Sequence, residues 1–174
     1  MRSPTSSAAG ARKGDGGFPQ ANGAIVQLGA GQARSLFAAA RVARLATADS
    51  RGQPHLVPVT FAVEGDMVCI AVDYKPKTTL NLKRLRNISV NSLVSLLADH
   101  YADDWEALWW ARADGPARIL TDEAARQHPV DLLVAKYPQY AERRPEGPVI
   151  CVEVAKWSGW AASPGAVRDT ARTR

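Results

Sequence analysis

The sequence has little cysteine and no long apolar run, and each absence excludes a class of protein. Only two of its 174 residues are cysteines, Cys69 and Cys151, and they do not form a CxxC pair. A disulfide-stabilised scaffold and a zinc site built on cysteines alone are therefore excluded. No apolar stretch approaches the ~20 residues that span a bilayer, which excludes an integral membrane protein. Arg2, Arg12 and Lys13 precede no apolar signal segment, so we expect a cytoplasmic protein.

Motifs for nucleophilic catalysis, nucleotide binding and metal binding are also missing. The sequence contains neither a GxSxG motif nor a GxGxxG motif after a strand. The isolated His55 is interpreted as a structural hydrogen-bonding residue. A cluster of acidic residues and one histidine follows a buried strand, but its spacing matches no metal-binding loop. We predict a charged surface loop and no metal site for this cluster, which comprises Asp99, His100, Asp103, Asp104 and Glu106.

The positive charge lies mostly at the two ends of the chain. The net charge is +5, but the first 24 and the last 11 residues each contribute +2. The stretch between them has 16 basic and 15 acidic residues. Because the excess charge is terminal, it gives little support to nucleic-acid binding by the domain itself.

Composition divides the chain into one domain and two tails. Residues 1–24 are rich in glycine, serine, alanine and proline, so they bury too little apolar surface to offset the entropy of ordering, and we expect disorder. The same reasoning predicts a flexible tail over residues 164–174. Residues 25–163 form the predicted folded domain.

The first half of this domain shows the periodicity of a short helix followed by a β-meander. Apolar residues recur at helical spacing through Ala33, Leu36, Phe37 and Ala40. A strand from Val42, a turn at residues 50–53, a strand over Pro54–Val63, a hairpin turn at Glu64–Asp66 and a strand over Met67–Val72 follow.

The second half alternates further strands with helices. After a loop at Lys75–Lys77 we expect a helix capped by Thr78 or Thr79, then a strand over Leu93–Ala98. The later predictions are one long or two short strands within Trp105–Leu120, a helix over Asp122–Lys136 that Pro129 kinks or divides, and a last strand formed by Val149–Val154 and Trp157–Ala162. These elements predict a mainly β fold with short helices, a small barrel of six or seven antiparallel strands.

The loop before the second helix has the composition of a phosphate site. Lys75 and Lys77 flank a proline, and Thr78 and Thr79 follow at once. Lysines, hydroxyls and the free amides of a helix N-terminus all favour an anion. A solvated basic helix face is the alternative, and it accounts for Lys83, Arg84 and Arg86.

Five tryptophans lie in the second half of the chain and allow two interpretations. Indoles bury large areas in cores and dimer interfaces, and they also stack against aromatic cofactors. Packing is favoured for Trp110, and both interpretations stay open for Trp157 and Trp160. Cys69 and Cys151 lie in apolar strands and are predicted to be small core residues.

Several short motifs in this order resemble a known superfamily. They are G-Q-P-H at 52–55, P-V-T-F at 58–61, the lysines of the 75–77 loop, N-L at 81–82 and V-S-L at 94–96. The pattern resembles the pyridoxamine 5'-phosphate oxidase-like split β-barrel superfamily, and within it the coenzyme F-420-dependent reductases of actinobacteria.

The resemblance implies an FMN-binding-protein-like split β-barrel, a homodimer and two cofactor sites at the subunit interface. In such proteins the matching residues Val57, Pro58, Val59 and Thr60 line the cofactor ring, mainly through backbone groups. Lys75, Lys77, Thr78 and Thr79 match the phosphate-binding residues, and Trp157, with Trp160 nearby, matches an aromatic residue that the other subunit places near the ring. Lys77-Thr78 stands where FMN-dependent oxidases carry Arg-Lys.

The function implied is hydride transfer between the deazaflavin F-420 and a small conjugated organic substrate. A deazaflavin carries out two-electron chemistry, so the protein has to orient the ring, anchor the phosphate and exclude water. An FMN-dependent oxidase or reductase, and a non-catalytic carrier of F-420 or flavin, are the alternatives. No nucleic acid and no membrane partner is expected.

Overall fold

The computed structural model describes residues 26–72 and 82–169, with side chains to residue 167. Nine strands, five helices and one 3-10 turn occur in this part of the chain. In chain order they are β1 (Val26–Gln27), α1 (Ala30–Ala39), β2 (Ala43–Ala48), β3 (Pro54–Val59), β4 (Ala62–Glu64), β5 (Met67–Ala71), α2 (Lys83–Val90), β6 (Leu93–His100), a 3-10 turn (Trp105–Ala107), β7 (Trp109–Leu120), α3 (Glu123–Lys136), α4 (Pro138–Glu142), β8 (Val149–Glu153), β9 (Lys156–Ala161) and α5 (Pro164–Asp169).

All strand pairs are antiparallel, in the order β3-β2-β6-β7-β8-β5-β4, with β9 between β7 and β1. The 12-residue β7 connects the two halves of this arrangement. Its first part pairs with β9, and its last four residues, Ala117–Leu120, pair with β8. Gly115 lies where β7 changes partner, and a Cβ there would lie 2.9 Å from the carbonyl carbon of Glu153. The close backbone approach therefore requires glycine.

The main core fills the space between the strands and α1. Phe37 of α1 and Phe61 between β3 and β4 are fully buried, and their ring centroids lie 4.7 Å apart. Leu45, Leu96 and Ile150 from three strands complete the centre of the same cluster. A second layer lies under α3, where Cys69 and Cys151 are buried as predicted. The expected mainly β fold with short helices is confirmed.

Several predicted boundaries are confirmed. The apolar spacing around Leu36 and Phe37 marks α1, and Gly65, with a φ of 56°, forms the turn between β4 and β5. Trp109–Leu120 is one strand, and α3 continues through Pro129 from an N-cap at Asp122, whose side chain accepts a 2.9 Å hydrogen bond from the Ala125 amide.

Other boundaries were wrong. The Pro54–Val63 stretch is two strands. β3 pairs with β2, whereas β4, which begins at Ala62 after Thr60 and Phe61, pairs with β5 at the other end of the strand order. The predicted last strand is likewise two, so the described strands number nine rather than six or seven.

The predicted helix cap and the C-terminal tail also need correction. Helix α2 begins at Lys83, with Leu82 as its N-cap residue, so neither Thr78 nor Thr79 caps it. Residues Pro164–Asp169 form a short helix, since Ala166 is buried against the main core. Residues 1–25 and 170–174, which include most of the predicted tails, lie outside the described residues. In the described part of the chain, no helix is long and apolar enough to cross a membrane.

Candidate functional site

Strand β3 forms one end of the sheet, and in the described residues it pairs only with β2. The Asp49 amide donates to the Gln53 carbonyl at 3.2 Å, which fixes the phase of this antiparallel pair. Hydrogen-bonded positions alternate along such a pair. The backbone groups of Val57 and Val59 therefore point towards β2, and those of Leu56 and Pro58 point to the free edge. Of the residues predicted to line a ring through their backbones, Pro58 offers a carbonyl there.

Thr60 lies just beyond β3, at a junction held by two tyrosines. Its hydroxyl lies 2.7 Å from the Tyr140 hydroxyl of α4. The Tyr137 hydroxyl accepts a 3.1 Å hydrogen bond from the Phe61 amide and lies 2.9 Å from the carbonyls of Phe61 and Arg41. Burial raises the pKa of Tyr137, so the hydroxyl stays protonated and can donate to one of these carbonyls. The end of the ring-lining run is thus fixed to α3 and α4.

A half-buried lysine secures the same junction from the other side. The Lys136 ammonium donates to the carbonyls of Ala38 and Ala40 at 2.9 and 2.8 Å, at the C-terminal end of α1. It also lies 3.9 Å from the ring centroid of Phe61, in cation–π contact. Burial, and then the charge of Arg41, lower the pKa of Lys136 to about 8. Its partners are the main chain and an aromatic ring, which gives it a structural role.

The predicted phosphate loop, with Lys75, Lys77, Thr78 and Thr79, lies outside the described residues. The helix that follows it is described. Among the residues that the structure describes, no side chain caps the N-terminus of α2. Its first turn contains no acidic residue, and Lys83 and Arg84 are its first two residues. A free helix N-terminus with basic residues has the electrostatic character of an anion site.

A buried polar contact fixes α2 against the sheet. Asn87 and Thr47 are almost fully buried, and the Asn87 amide donates to the Thr47 hydroxyl at 3.0 Å. Buried polar groups are stable only when they are hydrogen-bonded, so this pair favours one orientation of α2 on β2. It thereby sets where the N-terminus of α2 lies relative to β3, whose His55 carbonyl lies 3.5 Å from the same hydroxyl.

The two tryptophans that were predicted to lie close together are on opposite faces of β9. Trp157 points to the core, where its ring meets Phe37 edge-on with centroids 5.4 Å apart. Its indole Nε1 donates to the Asp66 carboxylate at 2.9 Å, and this bond, with that from Arg34, lowers the pKa of Asp66. Trp160 pairs with Trp110 on the other face. Trp160 therefore lies on the same face as Trp110, whereas Trp157 lies on the core face.

That other face, here called the outer face, is the side of β3, β2, β6, β7 and β9 that points away from the main core. Side chains alternate between the two faces along each strand, and the residues of the outer face are those whose neighbours along the strand are buried. One cross-strand row contains Pro58, Arg44, Leu97, Arg112 and Ser158. A continuous row of cross-strand neighbours thus connects the free edge of β3 with the centre of the outer face.

The outer face contains an open groove of about 460 Å³. Its lining combines two aromatic rings and an aliphatic floor with one residue of each charge: Leu97, Asp99, Tyr101, Trp110 and Arg112. Trp110 forms one side and is the cross-strand neighbour of Trp160. Such a mixture is typical of sites for planar organic molecules, in which apolar walls supply contact area and a few polar groups set orientation.

Ion pairs order the charged side chains of this face. Arg44 contacts Asp99, and the Arg112 Nε donates to Asp114 at 2.8 Å. The Ser95 hydroxyl donates to the same Asp114 carboxylate at 2.6 Å. These contacts hold the arginines along the groove, with their side chains still partly exposed.

The groove residues were missed by the sequence reasoning. Leu97 was predicted to belong to a short buried strand, and packing was favoured for Trp110. A signal was present in the sequence: β6 alternates through Leu93, Ser95 and Leu97 on one side and Val94 and Leu96 on the other. That alternation was hidden because leucines occupy both faces.

In the part of the chain that the structure describes, no three metal-ligating side chains of the acidic cluster come together. Asp99 contacts Arg44 instead. Asp104 accepts a 3.0 Å hydrogen bond from the Glu106 amide and caps the 3-10 turn. These two members of the cluster thus have structural partners.

Comparison with known proteins agrees with this fold. The chain is similar in structure to an FAD-binding protein from Mesorhizobium loti, with a TM-score of 0.64, 21% identity and coverage of 80% of this chain and 99% of the other. It is similar to an FAD-binding protein from Mycobacterium smegmatis (TM-score 0.54, 19% identity, coverage 79% and 97%). It is also similar to the haem storage protein HutZ from Vibrio cholerae (TM-score 0.58, 13% identity, coverage 74% and 90%). These likenesses show a split-barrel fold.

The sequence itself gives the family. No curated protein sequence matches the chain significantly. A family model described as pyridoxamine 5'-phosphate oxidase matches residues 30–161, which run from the first residue of α1 to the last residue of β9. The match covers all strands of the barrel except the two-residue β1. The chain therefore belongs to the pyridoxamine 5'-phosphate oxidase family.

Proposed function

We propose that the protein is a homodimeric oxidoreductase that transfers a hydride between the deazaflavin coenzyme F-420 and a small conjugated organic substrate. The observation that carries the proposal is the outer face: an open, aromatic-lined groove in register with the free edge of β3. A tricyclic ring needs a flat apolar surface and a few backbone partners, and this region offers both.

The described residues fit the ring portion of such a cofactor. The outward backbone groups of Leu56 and Pro58 are suited to the polar edge of the ring. Trp110 and Trp160 provide aromatic surface across the face. The rigid support beneath comes from the Thr60–Tyr140 and Phe61–Tyr137 hydrogen bonds, which hold the end of the ring-lining run in place.

The region around α2 fits the anionic tail. The N-terminus of α2, to which no described side chain provides a cap, and its basic first turn favour a phosphate. Lys75, Lys77, Thr78 and Thr79 precede this helix in sequence and are proposed to complete the anchor. The Thr47–Asn87 contact fixes the helix and so limits where the phosphate binds.

A bound deazaflavin supplies two-electron hydride chemistry. The residues of this chain bind the ring, orient it and exclude water from it, and none of them needs to act as a nucleophile. The groove then receives the substrate, where Trp110 and Leu97 contact its apolar surface and Arg112 faces any carbonyl or carboxylate it has.

We propose a second copy of this chain as the cover of the outer face. Leu56, Leu93 and Leu97 are exposed there by 64%, 68% and 37%, and the half-buried Trp110 and Trp160 lie on the same face. Monomeric proteins rarely leave so many apolar side chains together on a sheet face. A dimer would bury these side chains, and it would close the groove against water.

Binding of FMN or FAD is the second candidate. Two structural neighbours are described as FAD-binding proteins, and the family is that of an FMN-type oxidase. The departure at Lys77-Thr78 from the Arg-Lys pair favours F-420 over FMN. A non-catalytic carrier of either cofactor would have the same binding site and would lack turnover.

Cofactor titration separates these possibilities. The purified apoprotein is titrated with F-420, FMN and FAD, and binding is followed by fluorescence. We expect a micromolar dissociation constant for F-420 and no saturable binding of FMN or FAD. Reduced F-420 is then offered with a panel of enones and quinones. Tight flavin binding alone would favour the second candidate, and tight F-420 binding without oxidation by any substrate would favour the carrier.

A further inference from the structure

The two cysteines of the chain face each other across neighbouring strands. Cys69 of β5 and Cys151 of β8 are direct partners in the antiparallel register, and their sulfur atoms lie 3.6 Å apart. Both are free thiols with no exposed surface. The sequence alone gave no sign of this, because 81 residues separate them along the chain.

The phase of the ladder makes this an unusually close pair. The Val72 amide donates to the Pro148 carbonyl at 3.0 Å, and the Val154 amide donates to the Asp66 carbonyl at 2.8 Å. Hydrogen-bonded positions therefore fall at every second residue from 66 to 72, and Cys69 is a non-hydrogen-bonded position. At such positions the Cα atoms are only about 4.5 Å apart and the side chains are closest. This separation lies at the short end of the range that a disulfide can bridge.

The electrostatics of the pair divide the roles of the two thiols. The hydrogen bond between the sulfurs lowers the pKa of Cys151 and raises that of Cys69, which burial raises further. Arg118, the cross-strand neighbour of Cys151 on β7, also favours the Cys151 thiolate. These directions make the Cys151 sulfur the better nucleophile of the two, because the thiolate is the reactive form of cysteine.

Helix α3 covers the pair. Val130 packs on the cysteines, and Pro129 precedes it within the helix. Proline removes one intrahelical hydrogen bond, so this turn of α3 is its weakest point. Opening of that turn alone would expose the sulfurs to a small molecule, without unfolding of the barrel.

We propose that Cys69 and Cys151 are a modification site for small peroxides, at which the two thiols convert reversibly to an intrachain disulfide. The Cys151 thiolate attacks one peroxide oxygen, the O–O bond breaks, and a sulfenic acid forms with release of one water from hydrogen peroxide. The Cys69 sulfur then attacks the sulfenic sulfur, the S–S bond forms, and the hydroxyl leaves as a second water with the Cys69 proton. Two thiols are oxidised by two electrons, and one peroxide is reduced to two waters. External thiols return the disulfide to two thiols by thiol–disulfide exchange.

The test is thiol counting in the full-length reduced protein. Hydrogen peroxide is added at concentrations at which the protein stays folded. The protein is then denatured in the presence of a maleimide, and its mass is measured. We expect the number of maleimide adducts to fall from two to none per chain. The product should be monomeric and lighter by two hydrogen atoms, and its digest should contain a peptide in which Cys69 is linked to Cys151. Dithiothreitol should restore both adducts.

Single variants identify the roles and guard against misfolding. Cys69→Ser should stop at a sulfenic acid on Cys151 that dimedone traps, and Cys69→Ala serves if the serine variant does not fold. The proposal is overturned if both thiols stay alkylatable, if the products are sulfinic or sulfonic acids or links between chains, or if oxidation proceeds only at the rate of global unfolding.

Discussion

At the scale of single residues, Lys77 is the side chain on which cofactor affinity is expected to depend most. Replacing it by alanine removes a charge-assisted hydrogen bond to the phosphate, which contributes about 1.5–3 kcal/mol. We therefore expect Lys77→Ala to raise the dissociation constant of F-420 by about 10- to 150-fold and to leave the free energy of unfolding nearly unchanged. Fluorescence titration of this variant beside Arg51→Ala, a change at an exposed residue of the turn between β2 and β3 that should leave the constant unchanged, checks this. An unaltered constant would exclude Lys77 from the site.

Lys136 makes a prediction about stability and pH. Its pKa falls from the ordinary 10.5 to about 8 in the folded protein, because the ammonium is half-buried. At pH values between these two pKa values, the unfolded chain binds more protons than the folded chain. The contribution of this residue to the free energy of unfolding therefore rises with pH. We expect the free energy of unfolding of the natural protein, relative to Lys136→Met, to increase from pH 8 to pH 10. Urea denaturation of both proteins measures it, and a flat or falling difference would show that the lysine is not desolvated.

Residue roles were predictable from the sequence where the residue type decides the chemistry. The burial of Cys69 and Cys151 followed from the apolar strands around them. The opposite orientations of Trp157 and Trp160 were not predicted, although two strand residues that are three positions apart point to opposite faces. That separation was overlooked because the resemblance, rather than the strand phase, grouped the two tryptophans.

At the scale of elements, the change of partner along β7 depends on Gly115. A methyl group there would collide with the carbonyl group of Glu153, which belongs to the main chain and cannot move freely. We expect Gly115→Ala to destabilise the protein by about 3 kcal/mol or more. The matched change Gly31→Ala, in α1 with open space around the position, should stabilise it by about 0.5–1 kcal/mol. Thermal and urea unfolding compare the two, and equal stabilities would contradict the close approach at Gly115.

Element types were more predictable than element boundaries. Helix α1 and the hairpin at Gly65 followed from apolar spacing and turn residues. The division of Pro54–Val63 at Thr60 did not, because β-branched and aromatic residues continue through the point where the chain passes from one sheet to the other. That passage is set by long-range contacts, such as the Tyr137 hydrogen bond to Phe61, which no local pattern reports.

At the scale of the whole molecule, the outer face predicts a dimer. Leu97 lies at its centre between Arg44 and Arg112, so we expect the folded protomer to tolerate Leu97→Glu, which places a carboxylate in the proposed interface. We expect this variant to raise the dimer dissociation constant by at least about 10-fold, and Val90→Glu, a change at an exposed residue of α2, to leave it unchanged. Sedimentation velocity over a concentration series measures both. Dimers of equal strength would place the interface elsewhere.

The mainly β architecture was predictable from strand periodicity, and the superfamily from its short motifs. The groove was not, since its lining residues come from β6, β7 and the segment between them, and its depth depends on how the side chains of the outer face pack. Partner and cofactor likewise depend on surfaces that only the assembled sheet creates.

Sedimentation velocity with saturating F-420, recorded at the absorbance of the cofactor, tests the central claim most directly. We predict that the cofactor sediments with a dimer, at one molecule per protomer. A monomer that binds cofactor, or a protein with which neither F-420 nor FMN nor FAD sediments, would contradict the account.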